Sequence, residues 1–127
     1  MIVLDASAAV LALLNDGDAR RALAGETAAI PHLADSEVAH ALRAQVRRGG
    51  LPADRARVAL ARWTGLGLRC FPAAPHLGRV WELRDNLSAY DATYVALAEA
   101  LGCALVTADA RLARAPGPSC PITTVRR

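Results

Sequence analysis

Short apolar runs alternate with longer helix-like segments along the whole chain. Most of these runs are uninterrupted apolar stretches rather than apolar-polar alternations, which indicates strands covered on both faces. Strands that are separated by helices pair in parallel, because each return to the sheet requires a crossover. The sequence therefore predicts an α/β fold, specifically a three-layer α/β/α sandwich around a five-stranded parallel sheet.

The boundaries of these elements follow from the apolar runs and from the cap and turn residues beside them. The predicted strands are 2–4, 27–30, 68–71, 103–107 and 122–125. The predicted helices are 6–14, 18–24, 33–48, 52–64, 75–87, 89–101 and a short turn after Asp109. Asp18 is expected to cap the second helix, and Gly102 to end the last long one. No linker or repeat divides the chain, so a single domain over 1–127 is expected.

The composition of the chain predicts its cellular location. Its apolar runs are short and interrupted by charge, so none is expected to span a bilayer. The first residues lack the basic region of a secretory signal. Three cysteines without paired spacing are expected to be buried free thiols in a reducing cytoplasm.

The positive charge of the chain comes entirely from arginine. All 15 basic residues counted as Lys+Arg are Arg, and the formal net charge is +3. The absence of lysine excludes Schiff-base, P-loop and kinase-type chemistry, each of which needs a lysine amine. The planar guanidinium group suits phosphates and guanine edges, so the charge is compatible with a nucleic-acid substrate.

Two aspartates lie just after predicted strands. Asp5 comes after the first strand, and Asp109 comes after the fourth. The carboxyl ends of parallel strands form the edge at which α/β proteins bind ligands, so both side chains are expected there. Aspartate is also a good helix cap, and a helix begins after each of these residues. Capping alone therefore explains either residue taken by itself.

Two further acids lie in the first turns of predicted helices. Asp91 shares a helix face with the apolar residues Tyr94, Val95, Ala98 and Leu101, whereas Ala92, Glu99 and Ala100 are expected to face away. An acid on a buried face is costly unless it is paired or bound to metal. A capping box with Ser88 is the alternative for Asp91. Glu37 borders a buried stripe, and its alternative is a solvated glutamate favoured by the helix dipole.

Taken together, the four acids indicate a metal site. Asp5, Glu37, Asp91 and Asp109 would all reach one edge of the sheet. Neighbouring carboxylates repel one another, and one or two hard divalent cations compensate this repulsion. Oxygen ligands without histidine or thiolate favour Mg²⁺ or Mn²⁺ over zinc. Such a site can activate water and stabilise an in-line phosphodiester displacement.

At this point the chain resembles the PIN-domain family and, within it, the VapC toxins. Four segments carry the resemblance, in the family's order and spacing: IVLDAS at 2–7, PHLADSEV at 31–38, YDATYVALA at 90–98 and LVTADARL at 105–112. By resemblance, Asp5 and Asp91 are the direct metal ligands. Glu37 and Asp109 complete the site directly or through metal-bound water. Ser7 and Thr107 are expected to orient carboxylates or water.

The resemblance also implies an activity and partners. It implies a Mg²⁺- or Mn²⁺-dependent endoribonuclease that forms a homodimer and is neutralised by a cognate VapB-type antitoxin. It places the partner contacts on the early helices, over 6–24 and 33–64.

Contacts with RNA are harder to assign from the sequence. Arg43, Arg47 and Arg48, on or just past the helix that carries Glu37, are possible RNA contacts, although solvated surface arginines are equally expected. A metal site needs an accessible phosphate, which favours single-stranded RNA. Tyr90 could stack on a base beside Asp91, but core packing is the favoured interpretation.

Two other functions are compatible with the predicted fold. A receiver-type phosphoacceptor domain would need paired acids near the first strand and a lysine after the last, and this chain has neither. A non-catalytic PIN-like binding module could keep the fold for partner contacts alone, but the complete set of acids argues against it.

Overall fold

The computed structural model describes all 127 residues and contains one five-stranded parallel sheet in the order β3-β2-β1-β4-β5. The strands are β1 Ile2–Leu4, β2 Ala28–Pro31, β3 Arg69–Phe71, β4 Ala104–Thr107 and β5 Ile122–Thr124. The helices are α1 Ala6–Leu14, α2 Asp18–Gly25, α3 Leu33–Arg47, α4 Ala53–Thr64, α5 Leu77–Glu82, α6 Ala89–Leu101 and α7 Ala110–Arg114, with a 3-10 turn at Ala74–His76. The predicted α/β class and parallel sheet are confirmed.

The direction in which the chain crosses the sheet decides which face each helix covers. The chain first moves outward from β1 through β2 to β3, and then returns past β1 to β4 and β5. Because crossovers between parallel strands are right-handed, the helices before β3 cover one face and those after it cover the other. The contacts agree, since α1 packs on α2, α3 and α4, whereas α6 packs on α5 and on the central strands.

Burial follows position in the sheet. The central strands β1 and β2 are buried throughout, and β4 is buried from Leu105 onward. The edge strands β3 and β5 are largely exposed, which explains why they contain Arg69 and two threonines rather than a pure apolar run. The predicted covering of both faces therefore holds for the centre of the sheet and not for its edges.

Helix α6 is more deeply buried than its apolar stripe predicted. Every residue from Ala92 to Ala98 is buried, including Ala92 at 0% exposure, so the expectation that Ala92 faces away from the core is wrong. The reason is that α6 lies over β1, β2 and β4 and is itself covered by α5. A helix with neighbours on several sides buries residues that a two-sided helical pattern assigns to solvent.

Several local boundaries also differ from the sequence prediction. The helix expected over 75–87 ends at Glu82, and turns follow before α6 begins. Asp18 is the first residue of α2 rather than its cap, a position that Gly17 occupies. Gly102 does end α6, and its positive φ of 65° is the left-handed conformation that favours glycine.

Two further sequence expectations concern the burial of the cysteines and the hydropathy of the helices. Cys70 is exposed and the other two cysteines are partly buried, so the expectation of three buried thiols is wrong, although all three are free. No helix combines the length and the apolar composition that a bilayer-spanning segment needs.

Candidate active site

The centre of the site lies where β1 and β4 run side by side. The chain leaves these two strands toward opposite edges of the sheet, which makes the gap beyond their carboxyl ends a topological switch point. Leu4 pairs with Val106, so Asp5 stands next to Thr107 at the end of the ladder. The strand register therefore brings together two residues that are 102 positions apart in the chain.

A network of hydroxyl groups holds the Asp5 carboxylate in place. Its Oδ1 accepts hydrogen bonds from the Ser7 hydroxyl at 2.7 Å and the Ala8 amide at 3.0 Å. Its Oδ2 accepts from the Thr107 hydroxyl at 2.5 Å. Ser7 also accepts from the Ala108 amide at 2.9 Å, which connects the start of α1 with the loop after β4. Asp5 is thus 6% exposed with a fixed orientation.

Helix capping accounts for part of what Asp5 and Asp109 do. Asp5 caps α1 through the Ala8 amide, and Asp109 caps α7 through the Arg111 amide at 2.9 Å. Capping needs one carboxylate oxygen, however, and the second oxygen of Asp5 is bonded to Thr107 instead. Both residues therefore do cap a helix. For Asp5, however, capping occupies only one of the two carboxylate oxygens.

Asp91 lies in the first turn of α6 and faces a cleft. The Ser88 hydroxyl accepts from the Asp91 amide at 3.1 Å, so the serine alone supplies the cap of this helix. Asp91 and Asp109 line the same cleft, whose volume is about 260 Å³. The other lining residues are Asn86, Leu87, Ser88, Arg111, Leu112 and Ala115. The half-buried Asp91 carboxylate is therefore open to a ligand from this side.

Glu37 reaches the site from α3, on the other side of the sheet from α6. Its Oε1 accepts a hydrogen bond from the Tyr94 hydroxyl at 2.6 Å. Tyr94 is 2% exposed and belongs to α6, three residues after Asp91. This hydrogen bond connects the Glu37 carboxylate with the helix that carries Asp91.

The pKa values of these acids show that their charges interact. Burial raises the pKa of Asp91, and the charges of Asp5 and Asp109 raise it further. Burial also raises the pKa of Glu37, as do the charges of Asp91 and Asp5, against the opposing hydrogen bond from Tyr94. All four sequence-predicted acids are therefore electrostatic neighbours at one edge of the sheet.

Asp109 behaves differently because it has a cationic partner. Burial acts to raise its pKa, but the backbone and side-chain hydrogen bonds from Arg111 and the charge of that arginine bring the pKa below its usual value. The Arg111 guanidinium lies 3.5 Å from the Asp109 carboxylate and is 87% exposed. Arg111 is thus the basic side chain that this edge of the sheet contributes.

The donor chemistry of the four acids fits a hard divalent cation, since every candidate ligand atom is a carboxylate oxygen. As the side chains stand, however, no three His, Cys, Asp or Glu residues form a metal-holding group. Three of the four acids instead have donors of their own: Ser7 and Thr107 for Asp5, Tyr94 for Glu37 and Arg111 for Asp109. The acids lie at the same edge of the sheet and repel one another electrostatically, but they do not form a closed ligand shell.

The three arginines predicted as possible RNA contacts are not gathered at the acids. All three are exposed on or just past α3. Glu37 is the fifth residue of this helix, so its predicted place in the first turn is wrong. At 1.5 Å per residue, Arg47 lies about 15 Å along the helix axis from Glu37. Arg43 and Arg47 line a shallow groove between α3 and α4 instead. Their contact with RNA stays a prediction.

Sequence reasoning selected Glu37 but missed the role of Tyr94. Asp35 lies in the first turn of α3, two residues before Glu37, but it accepts a hydrogen bond from the Trp63 indole at 2.7 Å and so connects α3 with α4. The spacing of three residues does place Tyr94 on the helix face of Asp91, but this pattern does not show which residue its hydroxyl contacts.

The favoured interpretation of Tyr90 as a core residue is wrong. Its side chain is 65% exposed, while the neighbouring Asp91 is half-buried. The reason is position: Tyr90 precedes the part of α6 that α5 and the sheet cover, so the first turn of the helix emerges into solvent.

Asp91 and Asp109 should respond to pH with opposite signs. A raised pKa means that ionisation costs folding stability, so Asp91→Asn should make the metal-free protein more stable than the parent at neutral pH. This gain should shrink as pH falls through the raised pKa and vanish below the usual value of 3.8. Urea unfolding at a series of pH values in the presence of chelator measures it.

The matched variant is Asp109→Asn. A lowered pKa means that ionisation stabilises the fold, so this variant should be less stable than the parent at neutral pH. Its deficit should disappear as pH falls below the lowered pKa. Equal pH dependence in the two variants would contradict the charge arrangement described above.

Comparison with known proteins agrees with the fold and shows the family of the chain. The sequence model of the PIN domain family matches residues 2–118 of the chain. The chain therefore belongs to the PIN-domain family. It is 55% identical to Ribonuclease VapC9 of Mycobacterium tuberculosis over 127 residues, covering 100% of both chains, which places it in the VapC group of that family.

Two solved structures share the architecture. PAE2754 from Pyrobaculum aerophilum superposes with a TM-score of 0.72 at 27% identity, covering 96% of this chain and 82% of that one. VapBC2 from Rickettsia felis, solved bound to a DNA fragment from their promoter, superposes with a TM-score of 0.69 at 17% identity and 98% coverage of both chains. At that identity, the second likeness concerns the fold alone.

Proposed function

We propose that this chain is a Mg²⁺- or Mn²⁺-dependent endoribonuclease, the toxin of a VapBC-type toxin–antitoxin pair. The observation that carries the proposal is the placement of the four acids around the switch point of the sheet. Thr107 holds Asp5 there, and Asp91 and Asp109 line one cleft. Glu37 is bonded to Tyr94 of the helix that carries Asp91. The chain also belongs to the VapC group, and its relative in that group is named a ribonuclease. This likeness supports RNA as the substrate. An RNA substrate and free thiols both favour the cytoplasm as the place of action.

The residues of the chain have distinct roles in this proposal. Asp5 and Asp91 hold the divalent ion, and Glu37 and Asp109 complete its surroundings. Ser7 and Thr107 keep the Asp5 carboxylate in one orientation through hydrogen bonds of 2.7 and 2.5 Å. When bound, the ion supplies Lewis-acid stabilisation of the charge that develops on the scissile phosphate. Arg111 is placed to attract the RNA backbone to this edge, because its guanidinium is exposed.

Removal of metal should abolish the activity. The purified chain should cleave single-stranded RNA, and excess chelator should reduce cleavage to background because the carboxylates alone cannot compensate the phosphate charge. Added Mg²⁺ or Mn²⁺ should restore cleavage, as followed by gel analysis of labelled RNA. Cleavage that continues in excess chelator would contradict the metal requirement. A folded chain that cuts no RNA with either ion would favour the binding-module alternative.

We also propose that a second copy of the chain covers the apolar surface of α5 and the start of α6. Leu77, Trp81 and Tyr90 are 55%, 67% and 65% exposed there, which is unusual for such large apolar side chains. This surface lies outside the early helices to which the family resemblance pointed. Light scattering of the parent and of Trp81→Ser tests it, with dimer expected for the parent and monomer for the variant.

The antitoxin is proposed to bind the groove beside α1 and α2. This groove has a volume of about 710 Å³, and half of its 12 lining residues are hydrophobic. Arg20 and Arg62 stand beside Leu13 and Leu23 in its lining. An apolar segment with acidic side chains would complement it. The proposal predicts that Leu23→Asp lowers the affinity for the cognate antitoxin while RNA cleavage by the free chain continues.

A further inference from the structure

Tyr94 has a polar group that the packing of the core does not require. The side chain is among the largest fully buried ones in the molecule, at 2% exposure. Its hydroxyl donates to Glu37 Oε1 at 2.6 Å, which satisfies the buried phenol. A phenylalanine would fill the same space without needing a partner. The hydroxyl therefore serves Glu37 rather than the core.

The position of Tyr94 relates Glu37 to the other acids. Residues three apart on a helix lie on one face, so α6 presents Asp91 and Tyr94 on the same side. Glu37 comes from α3, and the charges of Asp91 and Asp5 repel it. The hydrogen bond from Tyr94 holds Glu37 near these acids against that repulsion.

We propose that Tyr94 is a positioning residue, which fixes the Glu37 carboxylate in the orientation that the divalent metal site requires. The inference rests on the proposed function, because it assumes that Glu37 belongs to that site. Only Oε1 of Glu37 is bonded to Tyr94, so Oε2 has no hydrogen-bond partner in the structure and stays available to a ligand. Partners of this kind typically contribute about 10- to 100-fold to metal affinity.

The test measures Mn²⁺ affinity rather than turnover alone. Titration calorimetry of the parent and of Tyr94→Phe should show about 10-fold weaker Mn²⁺ binding in the variant. Thr93→Val is the matched control, because it removes a buried hydroxyl of the same helix that donates to the Ala89 carbonyl and to none of the acids, and it should leave the affinity unchanged. Thermal unfolding in chelator and circular dichroism establish that each variant is folded at the temperature of the titration.

A double-mutant cycle separates positioning from a purely structural role. In a Glu37→Ala background the Tyr94 hydroxyl has no carboxylate to hold, so Tyr94→Phe should cause no further loss of Mn²⁺ affinity. The same loss with and without Glu37 would overturn the proposal, as would an unchanged affinity in Tyr94→Phe alone. Should Tyr94→Phe prove unfolded, Glu37→Gln, which keeps an acceptor for the phenol, replaces it: Mn²⁺ binding as tight as in the parent would overturn the proposal.

The outcomes also separate this inference from the proposed function. If the parent chain binds no Mn²⁺, or if Asp5→Asn binds it as tightly as the parent, the proposed metal site fails and the role of Tyr94 fails with it. If the parent binds Mn²⁺ through Asp5 but Tyr94→Phe does so equally well, only the positioning role is overturned.

Discussion

Asp5→Asn is expected to reduce metal-dependent RNA cleavage by about 10³-fold or more, because several kcal/mol of charge stabilisation depend on the metal that this carboxylate holds. The amide keeps one oxygen for the Ser7 hydroxyl and the Ala8 amide, so the cap of α1 survives. The amide nitrogen takes the place of Oδ2 beside Thr107, whose hydroxyl can turn to accept. The variant therefore loses the negative charge with little change in shape.

The stability of Asp5→Asn should change little. Weakening of the Thr107 hydrogen bond costs stability, while relief of the repulsion felt by Asp91 and Glu37 restores some of it. A net change within about 1 kcal/mol is expected. Cleavage of labelled RNA and thermal unfolding measure the two effects. Asp54→Asn, an exposed acid in the first turn of α4, is the control that should keep full activity. An Asp5→Asn protein that cuts RNA at the parent's rate would refute the assignment of the site.

The largest loss of stability is expected from Leu105→Ala. Leu105 is 0% exposed in β4, between Val3 of β1 and Ile122 of β5. Removing its side chain leaves a cavity between the sheet and the helices, which should cost about 3 kcal/mol and lower Tm by about 10 °C. Urea and thermal unfolding of the metal-free protein measure the change.

The control for this prediction is a leucine at the surface. Leu66 is 40% exposed, so Leu66→Ala should cost less than about 1 kcal/mol. Because Leu105 lies two residues before Thr107, its replacement should also loosen the β4 edge that holds Asp5. Equal losses in the two variants would contradict the description of the core.

The fold was predictable because its pattern is local. The apolar runs at β1, β2 and β4 and the helices between them follow from hydropathy, and parallel pairing follows from their alternation. The prediction of which face of α6 is buried was wrong, because Ala92 is buried although it was expected to face away from the core. A helix covered on several sides has no polar face to reveal its surroundings, so its sequence cannot show how many neighbours it has.

The candidate site could be predicted only as a set of residue types. Asp5 and Asp109 were found by their position after strands, a rule that holds for any parallel sheet. Glu37 and Asp35 could not be separated in this way, because both lie within the first five residues of α3 and neither directly follows a strand. The structure separates them by partner, since Asp35 accepts from Trp63 and Glu37 accepts from Tyr94. These hydrogen-bond partners are 28 and 57 residues apart in the chain, so no periodic pattern of the sequence indicates them.

By itself, then, the sequence determined the class of fold, the edge of the sheet at which its acids collect and the oxygen chemistry of that edge. These properties depend on local patterns and on general rules of chain connection. Only the tertiary structure decided which hydroxyl holds which carboxylate, that Tyr90 faces solvent and that Tyr94 does not. The physical reason is that hydrogen-bond partners and burial are set by the packing of β1, α3, α6 and β4 against one another, and that packing is a property of the whole chain.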